Sequence, residues 1–312
     1  MFGDKKAGRT VLLLDIESGS VGSALLNLSK KSGPYLYGYN RLQAPLQQAR
    51  SSESLFAALN KTLDQSLLQT AEVAARMRTH SPHLGSVEHI AVFFSAPWGT
   101  PDLTAGKPVF GSGLIEHIKN SLNNYFGEAR ASFHTSADAL AFNAHKFTSS
   151  PDVLLAALRG ELMEMLLFTD ARVVAYGTAP IGTHTILRTL KAHGGLSEHE
   201  SRSLLKLLEH GDQSYEPLIA SGEHARKEFA NAAALVLQHG TPTSIVLMGE
   251  QPLADWFAKR IAEEESLAAL FPENTTVEAL RQHYFGAPLA TSAISDPFLL
   301  AEAAYVDARA SL

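Results

Sequence analysis

The chain has no cysteine among its 312 residues. That excludes disulfides, thiol nucleophiles and cysteine-ligated zinc, and it fits a cytosolic protein. Long apolar runs are also missing. Stretches such as IAVFFSAPW fall far short of the ~18 residues a membrane-spanning helix needs. Basic residues are scarce, with 26 Lys and Arg against 32 Asp and Glu and a net charge of −6. No basic stripe stands out, which argues against a nucleic-acid partner. The opening MFGDKKAGR is charged, but the apolar run behind it contains Asp15 and lacks the form of a secretory signal. The last residues, AEAAYVDARASL, have no basic amphipathic face, so direct membrane insertion is not expected. Of the thirteen histidines, the closest pairs are His80/His83 and His193/His199. Neither pair has i, i+4 spacing with a third ligand, so no histidine metal centre is expected. GSVGS lacks the strand–turn–helix context of a hydrolase elbow.

What is present describes an ordinary folded protein, 45% hydrophobic and 19% charged, long enough for one large or two medium domains. The most informative stretch is TVLLLDIESGSVGSALLNL, Thr10 to Leu28. It reads as a buried strand ending at Asp15, a Ser/Gly turn and a second strand from Val21, hence a β-hairpin. Such a turn suits phosphates. Gly19 lets backbone N–H groups approach an anion, Ser18 and Ser20 add hydroxyls, and Asp15 is placed to hold a divalent cation.

DIESGSVGSAL resembles the first phosphate loop of the actin-like ATPases, above all the FtsA/PilM branch. Two further segments follow in the family's order. Val153 to Leu190, VLLAALRGELMEMLLFTDARVVAYGTAPIGTHTILRTL, resembles the second phosphate loop. Ser244 to Ile261, SIVLMGEQPLADWFAKRI, resembles the adenosine loop. The resemblance implies an α/β fold: two actin-like (ribonuclease H-like) lobes around a cleft, with a duplicated β-β-β-α-β-α plan. It places residues 1–150 in a first lobe, with 297–312 packing back on it, and 151–296 in a second.

The organisation along the chain agrees with that plan. Aromatic Tyr35 to Leu42 reads as a third strand. Ser51 to Arg78 reads as a helix with Leu55, Leu59, Leu63, Leu67, Ala71 and Ala74 at helical spacing and Ser51 or Ser52 as cap. Val87 to Ser95 reads as a strand. Gly99 to Gly113 reads as a loop before a helix at Leu114 to Tyr125, too short for the small extra domain that FtsA and PilM carry there. Ala129 to His134 reads as a strand, and Ser136 to Lys146 as a helix capped by Ser136. The second half offers strands at Val153–Leu158, Met163–Phe168, Val173–Thr178 and Ser244–Met248. Helices are expected at Thr183–Ala192, capped by Thr183, and at Glu198–Glu209, Glu223–Gln238, Pro252–Glu264 and Pro297–Ala308.

The chemistry implied by the resemblance is eroded. The family's second-loop Asp falls on Ala157, its first turn Gly on Arg159, its second on Gly160 and its Thr on Met163. Glu17 replaces a first-loop Gly, and Glu250 and Gln251 follow Gly249 where the family has glycines. Phosphoryl transfer depends on positioned charge, so the lost carboxylate is costly. Asp15, Ser18, Gly19, Ser20, Gly160, Glu161 and Gly249 remain as candidate nucleotide contacts, with Asp15 as the metal ligand for ATP and Mg2+. Arg159 is either an ordinary turn residue or a cation that meets phosphate in place of a metal. The resemblance implies a cytoplasmic adaptor of cell division or type IV pilus assembly that acts through protein partners or self-assembly, with hydrolysis not favoured. The alternatives are a working ATPase using Glu161 or Glu164, or a sugar-kinase-type phosphotransferase.

Overall fold

The computed structural model describes residues 9–29, 34–46, 51–104, 107–207, 216–263, 265, 269–280, 285 and 296–310. Strands β1 (Arg9–Ile16), β2 (Ser20–Leu28) and β3 (Tyr35–Gln43) form an antiparallel meander. Helix α1 (Ser52–His80), capped by the Ser51 side chain, and the single turn α2 (Pro82–Gly85) lead to β4 (Val87–Phe94). Two short strands, β5 (Gly99–Pro101) and β6 (Pro108–Phe110), pair as a ribbon before α3 (Leu114–Phe126) and β7 (Arg130–Thr135). This corrects the expectation of a plain loop. Helix α4 (Ser136–Phe147) follows directly. Its cap is Thr135, not Ser136, because Thr135 and Asp138 form a reciprocal capping box.

The second half repeats this plan with β8 (Val153–Leu158), β9 (Met163–Thr169) and β10 (Arg172–Ala179). Helices α5 (Thr183–Gly194), α6 (Glu198–Leu207) and α7 (Glu216–Val236) then lead to β11 (Ser244–Met248), α8 (Leu253–Ala262) and β12 (Thr276–Ala279). Helix α9 (Pro297–Ala310) closes the described chain. The N-cap of α5 is Gly182 rather than Thr183, and no side chain bonds there. The expected end of α6 at Glu209 and the last two residues of the first lobe, 311–312, lie outside the described residues.

The two sheets have the same order: β3-β2-β1-β4-β7 and β10-β9-β8-β11-β12. In each, the first strand is flanked by an antiparallel hairpin partner and a parallel neighbour. Both first strands are buried on both faces, which is why they read as unbroken apolar runs instead of alternating ones. Leu12, Leu14 and Ile16 pack with α1 and α3, whereas Val11 and Leu13 pack with α4 and α9. In the same way Leu154, Ala156 and Leu158 face the helices of the second half, and Val153, Leu155 and Ala157 face the middle. Burying each of these leucines contributes about 1.5–3 kcal/mol. The layers therefore run α/β/α/β/α, with α4 and α9 forming a central layer shared by both sheets. Among the described residues no helix is long and apolar enough to cross a membrane.

Candidate functional site

Both leading hairpins turn with two-residue loops, Ser18–Gly19 and Gly160–Glu161. The hydrogen bonds from Glu17 N to Ser20 O and from Arg159 N to Leu162 O, each 3.1 Å, close them. The two turns meet. A Cβ on Gly19 would lie 2.6 Å from the Cα of Gly160, so neither position has room for a side chain. The Glu161 N–H donates to Ser18 Oγ at 2.9 Å across the junction. Helix α5 starts from the same turn, with Thr183 N donating to Arg159 O at 2.9 Å and His184 N to Gly160 O at 2.8 Å.

The duplicated hairpins can be matched residue by residue. Asp15 lies opposite Gly22 in β1–β2, and Ala157 lies opposite Glu164 in β8–β9. The second hairpin thus carries its carboxylate on the neighbouring strand. Glu17 and Arg159 hold equivalent positions with opposite charge, and their side chains approach to 3.9 Å.

Asp15, completely buried, accepts hydrogen bonds from Arg41 Nη2 at 2.6 Å and Arg159 Nη1 at 2.9 Å, both on Oδ2. Burial pushes its pKa up, but Arg159 and Arg41 outweigh that and hold it below the usual carboxylate range. Arg41 also binds Asp296 Oδ2 at 2.6 Å and Ser20 Oγ at 2.8 Å. Arg159 is sealed from solvent. Its guanidinium carbon sits 3.5 Å from the ring centre of Phe298, and its Nε lies 3.6 Å from Glu164. The serines are engaged within the protein as well, since Ser20 donates to Glu17 and Ser18 accepts from Glu161.

Two buried acids flank this pair. Glu164 accepts from Ala96 N at 3.1 Å and from the Tyr176 hydroxyl at 2.8 Å, and burial raises its pKa despite Arg159. Glu302 of α9 faces Asp15 and the Ser136 hydroxyl. Burial and the charge of Asp15 push it well above its usual range. Glu161 differs. Burial opposes its ionisation, but bonds from Arg188 and His184 bring its pKa down to about 2.

Beside this network the cleft between the sheets holds a cavity of about 380 Å³, lined by Tyr39, Arg41, Gly160, Arg202, Glu250 and Phe298 among others. Of the sequence-predicted contacts, only Gly160 is among the described residues lining it. Asp15, Ser18, Gly19, Ser20 and Glu161 cluster at the junction behind it, and Gly249 packs against Leu158. Among the described residues no group of three or more His, Asp or Glu side chains is placed to hold a metal ion. Sequence reasoning missed Arg41, Arg188, Asp296, Phe298 and Glu302. Glu302 carried a signal, being a lone acid in the apolar run LLAEAAYV.

No family model matches this chain, and no curated protein matches it in sequence. Solved structures do match in shape. The ethanolamine utilization protein EutJ from Carboxydothermus hydrogenoformans superposes with a TM-score of 0.59 at 10% identity, covering 97% of this chain and 91% of that one. A chain of the PilM–PilN type IV pilus biogenesis complex superposes at 0.57 and 11% identity, covering 97% and 98%. The fold is actin-like. A ROK family glucokinase from Streptomyces griseus, solved with glucose and AMPPNP, superposes at 0.50 and 11% identity over 96% and 99% of the chains. The actin-like arrangement accounts for the two facing hairpins: each sheet presents its leading turn to the same cleft.

Proposed function

We propose that this chain is an actin-fold adaptor that acts through protein partners, and that its interlobe cleft is held by an internal arginine–carboxylate network in place of nucleotide and metal. One observation carries the reading: the Arg159 guanidinium lies on Asp15, where a phosphate-bound cation would be needed. A divalent ion at Asp15 would have to displace two arginines from a buried carboxylate. The expected second carboxylate is Ala157. Its cross-strand neighbour Glu164 is committed to Tyr176 and Ala96, and Glu161 to Arg188. Hydrolysis by either glutamate, or sugar phosphorylation, would therefore need rearrangement of the junction.

In this reading residues 1–150 with 297–312 form one lobe and 151–296 the other, and the protein works in the cytoplasm. The PilM–PilN neighbour makes pilus assembly the first role to test, with cell division the other. Calorimetric titration with MgATP is expected to give no binding tighter than millimolar and no turnover in single-turnover mixing. Titration with a PilN-type polypeptide from the same cell is expected to give saturable binding that MgATP does not alter. The combined change Ala157→Asp with Glu17→Gly restores two family features and is expected to strengthen magnesium-dependent nucleotide binding. Turnover on the scale of ordinary ATPases, abolished by Asp15→Ala, would defeat the reading in favour of an enzyme.

A further inference from the structure

A second cavity, of about 300 Å³, lies away from the interlobe cleft, on the face of the first sheet that α9 covers. Its floor comes from four neighbouring strands: Leu28 on β2, Arg9 and Val11 on β1, His89 and Ala91 on β4, and Ser132 and His134 on β7. The last turns of α9 close it with Tyr305, Val306 and Arg309. The walls are mainly apolar, and nothing in the interlobe network reaches it.

The polar groups in this cavity are organised. Ser132 Oγ lies 2.9 Å from His89 Nε2 and 3.0 Å from His134 Nε2. A hydroxyl has one proton, so it can donate to only one of the two imidazoles, and at least one ring donates its own Nε2–H to the oxygen. A ring that accepts from Ser132 is the Nδ1–H tautomer and keeps one further N–H donor. Burial and nearby cations disfavour the protonated form of both rings. Burial, with Arg9 and Arg130, lowers the pKa of His89. Burial, with Arg309, lowers that of His134 to about 4 against the opposing pull of Asp138. Arg309 stacks 4.5 Å over the Tyr305 ring, which pre-orients its planar fork at the exposed rim. Arg9, 3.8 Å from Glu88, stands on the opposite strand. A guanidinium at the mouth, two imidazoles inside and aliphatic walls suit an anion with an apolar body. The volume lies at the small end of the range for small-molecule sites.

We infer that this cavity binds a small monocarboxylate, with the carboxylate at Arg309 and the imidazoles, and the apolar body against Val11, Ala91 and Val306. The site is independent of the interlobe cleft and of the function proposed for it.

The test uses the full chain with labelled histidines, titrated with benzoate and with hexanoate while the imidazole resonances are followed. The His89 and His134 signals are expected to move together and saturate, with the other eleven histidines unmoved. Benzyl alcohol, which keeps the ring and loses the charge, is expected to bind at least tenfold more weakly. Arg309→Ala, at an exposed position, is expected to weaken benzoate at least tenfold, and Arg309→Lys to restore part of it. The inference is overturned if neither histidine responds, if benzyl alcohol binds as well as benzoate, or if Arg309→Ala changes nothing.

Discussion

Deleting the Arg159 side chain would leave Asp15, Glu17 and Glu164 converging, with Arg41 paired to the first two and, among the described residues, no arginine or lysine paired to Glu164. Breaking a buried pair from one side typically costs about 3–5 kcal/mol, so Arg159→Ala should show that loss in urea denaturation at neutral pH. Glu302 acts in the opposite direction. Its folded pKa is raised, so its contribution to stability is complete below the ordinary glutamate value near ~4.3 and is lost as pH rises through the raised value. Glu302→Gln should therefore be stabilising at neutral pH and nearly neutral at pH 4, as read from paired denaturation curves. The sequence pointed to Asp15 and the turn around it. It did not disclose that Arg159 and Arg41 bind the carboxylate, because their pairing joins residues 144 and 26 positions apart. Ion pairs of that range leave no local periodicity to read.

The hairpin junction depends on two glycines that share one space. Gly19→Ala and Gly160→Ala each force the turns apart, and once the first has done so the second has less left to disturb. The two losses should therefore be markedly non-additive, the double variant costing clearly less than the sum in a denaturation cycle. Most elements were legible because two-sided burial and helical spacing mark them, as in the leucines of α1. The elements that were missed had tertiary causes. Strand β12 is four residues long and exists through its parallel pairing with β11. The sequence places the start of α7 at Glu223, whereas the helix already covers Glu216 to Gly222, including Pro217. Gly222 lies where its Cβ would be 3.1 Å from the Trp256 ring.

At the scale of the molecule, one apolar cluster joins both sheets through α4 and α9. Neither half has a separate core on that side: Val11, Leu13 and Phe93 share it with Leu155, Leu166 and Val246. Calorimetry should therefore give a single unfolding transition in which the two halves melt together. Two resolved transitions would show that the central layer belongs to one half alone. Unlike the cleft chemistry, the duplicated architecture could be read from the order of the strands along the chain, because repeated hairpins leave a repeated apolar pattern.

The opposite charges of Glu17 and Arg159 set a rule of pairing. If two copies of the first half met through their hairpins, Glu17 would face Glu17. Two copies of the second half would set Arg159 against Arg159. Only the unlike combination sets Arg159 against Asp15 and Glu17, so each half is selective for its counterpart, as a heterodimer is. Separately expressed halves, if they fold, would be sorted by that charge into mixed pairs, and Arg159→Glu, which sets a further acid against Asp15 and Glu164, would abolish the sorting.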